Sequence, residues 1–210
     1  MIYHLLTIQK FNYNGFIIDT HEYFEVIDNI HKLNPILFHN KLINLDIQSF
    51  NNTIYYEDTS ICINELDDKE FIYVYKNKEL YEKLQLDLKF DFHKLPLNDI
   101  NLLKHHSMTI FKGDISTKLK TAYHNYNLIG VIKGETTFYL FNPKHNSDIT
   151  NKENKQIKKW AHKKIIKQNQ LLFIPPHWKY FQELNNKVIQ IHIDIDNIFT
   201  FIPNFFKDYQ

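Results

Sequence analysis

The chain has 210 residues, of which 43% are apolar and 15% aromatic, and this is enough for one globular domain with a single hydrophobic core. Its 25 basic and 24 acidic residues leave a formal net charge of +1, so the overall charge gives no argument for a nucleic-acid or anionic-membrane partner. The only cysteine, Cys62, excludes an intramolecular disulfide and a thiolate-rich metal site.

The sequence shows neither a secretory leader nor an apolar run of the roughly 20 residues that span a bilayer, so we expect a soluble intracellular protein without a membrane partner. It contains no arginine and is rich in Asn, Ile, Lys and Tyr. This composition is typical of an AT-rich genome, such as that of a large DNA virus or a protist. If the source is viral, we expect the protein in the cytoplasm, the virus factory or the virion.

The first half of the chain is predicted as a helix followed by short strands. Asp19 is the expected helix N-cap with Glu22 as its capping-box partner, and helical apolar spacing continues to Leu33, before Pro35. β-Branched and aromatic residues between polar breaks then predict strands at 36–38, 52–56, 60–63 and 71–75. Two further short helices are expected around residues 78–86 and 97–103.

From Met108 onward the pattern is mostly that of β-strands. A hairpin around Gly134 joins strands at 127–132 and 136–141, and residues 144–156 form a polar surface excursion. Other strands are predicted at 108–111, which ends at a turn over 112–114, and at 164–166, 171–174, 181–184 and 188–195. Many short strands with polar turns favour a closed or double-sheet β architecture.

Two segments carry a recognisable pattern of functional residues. The first is Thr121-Ala-Tyr-His124-Asn-Tyr126, and the second is Leu171-Leu-Phe-Ile-Pro-Pro-His-Trp-Lys-Tyr180. They resemble the Thr-x-x-His-x-Asp and Ile-Pro…Trp-x-His motifs of the JmjC/cupin-like Fe(II)/2-oxoglutarate hydroxylases, in which two histidines and the aspartate bind iron. The resemblance implies a mainly β (α+β) double-stranded β-helix, or jelly roll, with a helical N-terminal region packed on one sheet.

The same resemblance implies that the metal site is degenerate. His124 would be a residual ligand, while Tyr126 and Tyr180 stand at replaced ligand positions. Thr136 occupies the position of the lysine that binds 2-oxoglutarate, and Thr121 is the other residue of the implied cosubstrate pocket. A phenol has a pKa of about 10 and must lose its proton before it binds iron, so this set is a poor ferrous site. For His124 we favour the other interpretation, a hydrogen-bonded core or rim residue.

A strand near the C-terminus offers a second possible set of metal ligands. Strict alternation puts Gln190, His192, Asp194 and Asp196 on one face and four isoleucines on the other. If the polar face lined the interior, His192 and Asp194 could join His124 as ligands. We favour the alternative, in which the isoleucines pack the core and the polar set faces solvent.

We therefore predict a single domain, 1–210, with a helix and strand region at 1–107, a jelly-roll core at 108–196 and an apolar tail at 197–210. The favoured function is a non-catalytic binding or structural module without a cofactor. The alternative is a hydroxylase or demethylase of protein or nucleic-acid substrates that uses Fe(II) and 2-oxoglutarate. The expected partner is an unidentified protein or a second copy bound through the tail, although we favour a tail that seals one end of the core.

Residues 152–167 contain seven lysines and one glutamate. We interpret this segment as a solvated loop. The alternative is a basic patch that contacts an acidic partner or a nucleic acid. Its members are Lys155, Lys158, Lys159, Lys163, Lys164 and Lys167.

Overall fold

The structure, a computed structural model, describes residues 18–20, 33–38, 53–56, 59–62, 72–83 and 103–196. The strands are β1 (Ile18–Thr20), β2 (Ile36–Phe38), β3 (Thr53–Tyr56), β4 (Thr59–Cys62), β5 (Ile72–Asn77), β6 (Leu103–Ser116), β7 (Lys120–Thr121), β8 (Tyr126–Lys133), β9 (Glu135–Phe141), β10 (His162–Lys167), β11 (Gln170–Ile174) and β12 (Lys179–Asp196). The helices are α1 (Lys78–Lys83), α2 (Asn146–Ile149) and α3 (Asn154–Ile157), and single 3-10 turns span Pro143–His145 and Lys158–Trp160.

The longest strand, β12, belongs to two β layers. Its C-terminal part lies between β8 and β6 in the larger layer, whose order is β1-β2-β11-β8-β12-β6-β5. Its N-terminal part pairs with β9 and β7 in the smaller layer, and β10 pairs with the other edge of β9. The described pairings are antiparallel except for β1 with β2, and β3 and β4 form a separate hairpin.

The passage between the layers is a bend shared by β6 and β12. Gly113 in β6 has a φ of 125° and is paired with Asn186 in β12, which has a φ of 62°. Glycine adopts such a conformation without steric penalty, and asparagine tolerates it better than most residues. Both strands can therefore turn at the same point without losing their pairing.

The two layers enclose one interior core. Its members are buried apolar side chains that come from both layers, including Leu37, Phe111, Ile129 and Leu172 from the larger layer and Phe138, Leu140, Ile166 and Tyr180 from the smaller one. Trp178 is fully buried among them, and its indole N–H donates to the carbonyl oxygen of Leu33 over 3.1 Å. Burying each large side chain contributes about 1.5–3 kcal/mol, so this cluster supplies the main driving force for joining the layers.

A second apolar cluster lies on the outer face of the smaller layer. Ile149 of α2 and Ile157 of α3 pack on Tyr139, Phe141 and Phe181. The rings of Tyr139 and Phe181 are stacked with centroids 4.6 Å apart. The segment 144–156, which was expected to be a polar surface excursion, therefore covers part of this sheet face, because Ile149 within it and Ile157 directly after it are buried against the sheet.

The predicted fold class is confirmed: the protein is a mainly β jelly roll, and the part of the chain that the structure describes has few helices. The helix predicted near residue 78 is observed as α1, and the hairpin around Gly134 is observed as β8 and β9. The predicted turn at 112–114 is wrong, because Gly113 bends β6 within its pairing instead of ending it.

Some predictions concern residues that the structure does not describe. Asp19 lies in β1, and the remainder of the helix expected after it falls mostly outside the described residues, as do 84–102 and the tail 197–210. The domain boundaries stay predictions. Within the described part of the chain, no helix is both long enough and apolar enough to cross a membrane.

Replacing Gly134 with alanine should destabilise the protein by at least about 2 kcal/mol. Gly134 has a φ of 82°, and a Cβ atom there would clash with the carbonyl oxygen of Lys187. Urea unfolding measures the change, with Lys133→Ala in the same turn as the control. Equal stability of the two variants would contradict the described turn.

Candidate functional site

One face of β12 brings four polar side chains into the interior. Gln190, His192, Asp194 and Asp196 are between 1% and 7% exposed. They share a face with Leu184 and Val188 of the interior core, because alternate residues of a strand point to the same side. The expectation that this face is exposed to solvent is wrong. β12 is a central strand, and the isoleucines on its other face are buried as well.

The charged side chains of this polar interior form a chain of ion pairs. His124 donates from Nδ1 to Oδ2 of Asp196 over 2.6 Å, and its Nε2 lies 3.7 Å from Oδ2 of Asp194. That same oxygen of Asp194 accepts from the ammonium of Lys76 over 2.6 Å. Negative and positive groups therefore alternate from Asp196 through His124 and Asp194 to Lys76.

These contacts govern the protonation states of His124 and Asp194. Burial alone would lower the pKa of His124, but its hydrogen bond to Asp196 and the charges of Asp194 and Asp196 outweigh burial and raise this pKa. Burial alone would raise the pKa of Asp194, but the ammonium of Lys76, with His124, lowers it. Both carboxylates thus face cationic partners in the interior.

His192 stays neutral beside this chain of charges. Its Nε2 lies 2.9 Å from the hydroxyl oxygen of Thr109. Complete burial, reinforced by the nearby positive charge of Lys76, lowers the pKa of His192 to about 3. Burial and the same ammonium also lower the pKa of Lys120 to about 8. A neutral imidazole is therefore built into the interior.

Two buried glutamines complete the polar interior. The amide nitrogen of Gln190 donates to Oε1 of Gln182 over 3.0 Å. Oε1 of Gln190 is buried and has no hydrogen-bond partner among the described residues. An unpaired buried acceptor costs about 1–3 kcal/mol, so this atom is a place where a bound water would stabilise the fold.

Tyr126 is separated from the polar interior by its register. β8 begins at Tyr126, whereas His124 lies in the bend before the strand, so the two side chains do not share a strand face. The Tyr126 ring packs 5.8 Å from that of Phe173, which alternates with the interior residues of β11. The interior position of β8 is Asn127, which is paired with Asp194 and donates to the carbonyl oxygen of His124 over 2.9 Å.

The other residues implied by the resemblance lie in the smaller layer. Tyr180 belongs to the interior core, and its ring is 6.1 Å from that of Phe138. Thr136 is buried and its hydroxyl donates to the carbonyl oxygen of Glu183 over 3.2 Å. Thr121 is paired with Lys179 at the edge formed by β7. Tyr180 and Thr136 thus take part in packing and backbone contacts.

The described donors do not fit an Fe(II) site. Within the described ranges, no three His, Cys, Asp or Glu side chains are grouped so that they could hold a metal ion. His192 is engaged by Thr109, and the oxygen of Asp194 nearest to His124 is occupied by the Lys76 ammonium. A facial set of two histidines and one carboxylate with open positions is therefore not assembled.

The predicted solvated loop proves to be α3, a 3-10 turn and β10. Lys158 pairs with Glu183 at 2.6 Å, and Lys159 lies 4.2 Å above the ring of Trp160. Three other lysines of the patch are exposed, namely Lys155, Lys163 and Lys167, and Lys164 is half-buried.

Sequence reasoning missed Lys76, Thr109 and Asn127. Lys76 is 118 positions from Asp194 in the sequence and sits at the end of a short strand, where lysine is unremarkable. The available signal was the pair of acidic residues on an otherwise apolar strand. If that strand is central, its carboxylates require cationic partners from neighbouring strands.

Comparisons with known proteins give structural neighbours only. No family model and no curated protein matches the sequence. A cupin superfamily protein from Desulfitobacterium hafniense has 14% identity and a TM-score of 0.34, covering 49% of this chain and 73% of its own. The cupin domain of Drosophila melanogaster CENP-C has 11% identity and a TM-score of 0.32, covering 47% and 62%. The Fe(II) form of HppE has 11% identity and a TM-score of 0.32, covering 43% of each chain. The strand pairing of this chain itself defines its fold.

His192 should dominate the acid side of the stability profile. Its pKa is about 3 in the folded protein and about 6.5 when unfolded, so the unfolded state binds the proton first as the pH falls. Stability should fall by up to about 1.4 kcal/mol per pH unit below pH 6.5. Urea unfolding at several pH values should show this slope reduced in His192→Gln, and an unchanged slope would contradict the buried neutral imidazole.

His124 should act in the opposite direction. Because its pKa is raised in the folded protein, its stabilising contribution is complete below about pH 6.5 and is lost as the pH rises through the raised value. In the same urea series, His124→Gln should remove this alkaline loss and leave the acid slope. An identical alkaline limb in both proteins would refute the pairing with Asp196.

Proposed function

We propose that this protein is a non-catalytic relative of the JmjC/cupin-like hydroxylases that serves as a binding or structural module and uses no cofactor. One observation carries the proposal: the ammonium of Lys76 lies 2.6 Å from Asp194, beside His124. The Lys76 ammonium thus occupies the Asp194 oxygen that would have to bind a metal ion shared with His124. The predicted self-association through the tail at 197–210 belongs to this proposal as a possible mode of assembly.

The placement of Lys76 is specific. Its φ is 45°, a conformation that costs a lysine about 1–2 kcal/mol. The ion pair with Asp194 and the 3.1 Å hydrogen bond from its backbone N–H to the Thr109 hydroxyl offset this cost. The backbone of β5 is therefore held so that the ammonium enters the interior.

The positions expected to perform chemistry have structural contacts instead. Burial raises the pKa of Tyr126, which keeps its phenol neutral and unsuited to a ferrous ion. Thr136, at the position of the cosubstrate lysine, contacts a backbone carbonyl. These features support a binding or assembly role over oxygen chemistry.

The competing function is an Fe(II)/2-oxoglutarate-dependent hydroxylase or demethylase of protein or nucleic-acid substrates. The observation in its favour is that His124, His192 and Asp194 all face the interior, with Nε2 of His124 at 3.7 Å from Asp194. In that function these three side chains would hold the metal, which would activate oxygen. Lys76 would first have to leave Asp194.

Anaerobic calorimetric titration with Fe(II) and Mn(II), with and without 2-oxoglutarate, separates the two functions. We expect no stoichiometric metal binding, because the nearest oxygen of Asp194 is already paired with Lys76. Tight one-to-one binding that is lost in His124→Ala would contradict the proposal and favour the hydroxylase alternative.

Replacing Lys76 with methionine should destabilise the protein by about 3–5 kcal/mol, because it removes the cation nearest to the buried carboxylate of Asp194. Lys78→Met is the matched control, since Lys78 is exposed and pairs with the exposed Glu82 at 3.4 Å. The control should change stability by less than about 0.5 kcal/mol. Urea unfolding of both variants provides the measurement, and equal effects would argue against a special role for Lys76.

A further inference from the structure

We propose that a basic groove on the outside of the smaller layer binds the phosphodiester backbone of a nucleic acid. The groove has a volume of about 470 Å³ and lies between the segment joining β6 to β7 and the segment around α3. Its lining includes four lysines and two glutamates: Lys118, Lys152, Lys155, Lys158, Glu153 and Glu183. The proposed binding by this groove is independent of the function of the polar interior, which lies on the other side of the sheet.

Charge is unevenly distributed along the chain. Residues 152–167 carry seven lysines and one glutamate, a net charge of +6 (7 − 1), whereas the whole chain has +1. The remaining residues therefore sum to −5 (1 − 6). A codon bias towards lysine acts on the whole chain and does not by itself concentrate positive charge in 16 residues. This concentration favours an electropositive surface that recognises anions.

The positive surface continues from the groove along β10. Lys163 is paired with Tyr139, and Glu183 with Thr137, so both lie on the outer face of the smaller layer. Burial alone would raise the pKa of Glu183, but the hydrogen bonds from Lys158 and Tyr139 lower it. The charges of Lys158 and Lys163 lower this pKa further. Lys163 and Lys167 are both exposed and are about 13 Å apart at 3.3 Å per strand residue. An extended row of cations suits a polymer better than a single small anion.

The carboxylates beside the groove are already engaged. Glu183 is paired with Lys158 at 2.6 Å, and it also accepts from the Tyr139 hydroxyl over 2.9 Å. The Glu153 side chain accepts from the backbone in the capping box of α3. Both glutamates should therefore repel a phosphate less strongly than a carboxylate without such contacts. The exposed Glu135, which is paired with Lys167, lies at the far end of β10.

The groove is also structurally defined. The Asn154 amide donates to the Ser116 hydroxyl over 2.9 Å and to the Thr117 carbonyl oxygen over 2.8 Å, which ties its two sides together. Lys152 and Lys159 lie 4.9 and 4.2 Å from the centroid of the Trp160 ring, so cations already engage this aromatic surface. Without arginine forks or a free stacking platform at this ring, recognition should depend on phosphate charge and not on base sequence.

The test measures fluorescence anisotropy of a labelled single-stranded oligothymidylate and of a duplex over a range of salt concentrations. Lys152→Gln, Lys155→Gln and Lys159→Gln are combined in one variant. Its matched control combines Lys78→Gln, Lys104→Gln and Lys187→Gln, which remove the same charge elsewhere. We expect salt-dependent binding by the wild type and the control. The groove variant should bind at least about tenfold more weakly at low salt, with a salt slope smaller by about 2 for the single strand.

Three results would overturn the inference, provided that thermal unfolding shows the variants to be folded. One is the absence of binding by the wild type at about 20 mM salt, where phosphate contacts are strongest. Another is equal binding by the groove variant and its control. The third is displacement by polyglutamate as effective as displacement by unlabelled oligonucleotide at equal charge, which would identify an acidic protein as the partner.

Discussion

The partly buried ion pair between Lys76 and Asp194 is the interaction on which the interior of this protein depends. β12 lies between β8 and β6, and the side chains on both of its faces from Ile189 to Asp196 are buried. Two carboxylates on such a strand would be prohibitively costly without cations, because burial strongly disfavours an isolated charge. Lys76 and His124 provide those cations from neighbouring parts of the fold, at 2.6 Å from Asp194 and Asp196 respectively.

Much of the fold was predictable because its signals are local. β-Branched and aromatic runs mark the strands, and Gly134 marks the turn between β8 and β9. Alternation correctly grouped Gln190, His192, Asp194 and Asp196 on one face. It could not tell which face was internal, because a central strand covered on both sides has no solvent-facing side. For this reason the prediction that the polar face is exposed to solvent was wrong.

The site was less predictable because it depends on register and on distant residues. A bend before β8 places His124 in the interior and puts Tyr126 against Phe173, although the two residues are separated by only one position. Lys76 reaches Asp194 from 118 positions away. Neither relation has a signature in the sequence. The motif resemblance singled out His124 but not its hydrogen bond to Asp196, and Asp194 was considered beside His124 only as a metal ligand.

A double-mutant cycle between Lys76→Met and Asp194→Asn tests the central claim most directly. The free energies of unfolding of the wild type, both single variants and the double variant give the coupling between the two side chains. If the ion pair offsets the cost of burying the Asp194 carboxylate, the coupling should be about 1–3 kcal/mol. The double variant should then be more stable than the sum of the two single losses predicts. A coupling below about 0.3 kcal/mol would mean that the two groups act independently and would contradict the account.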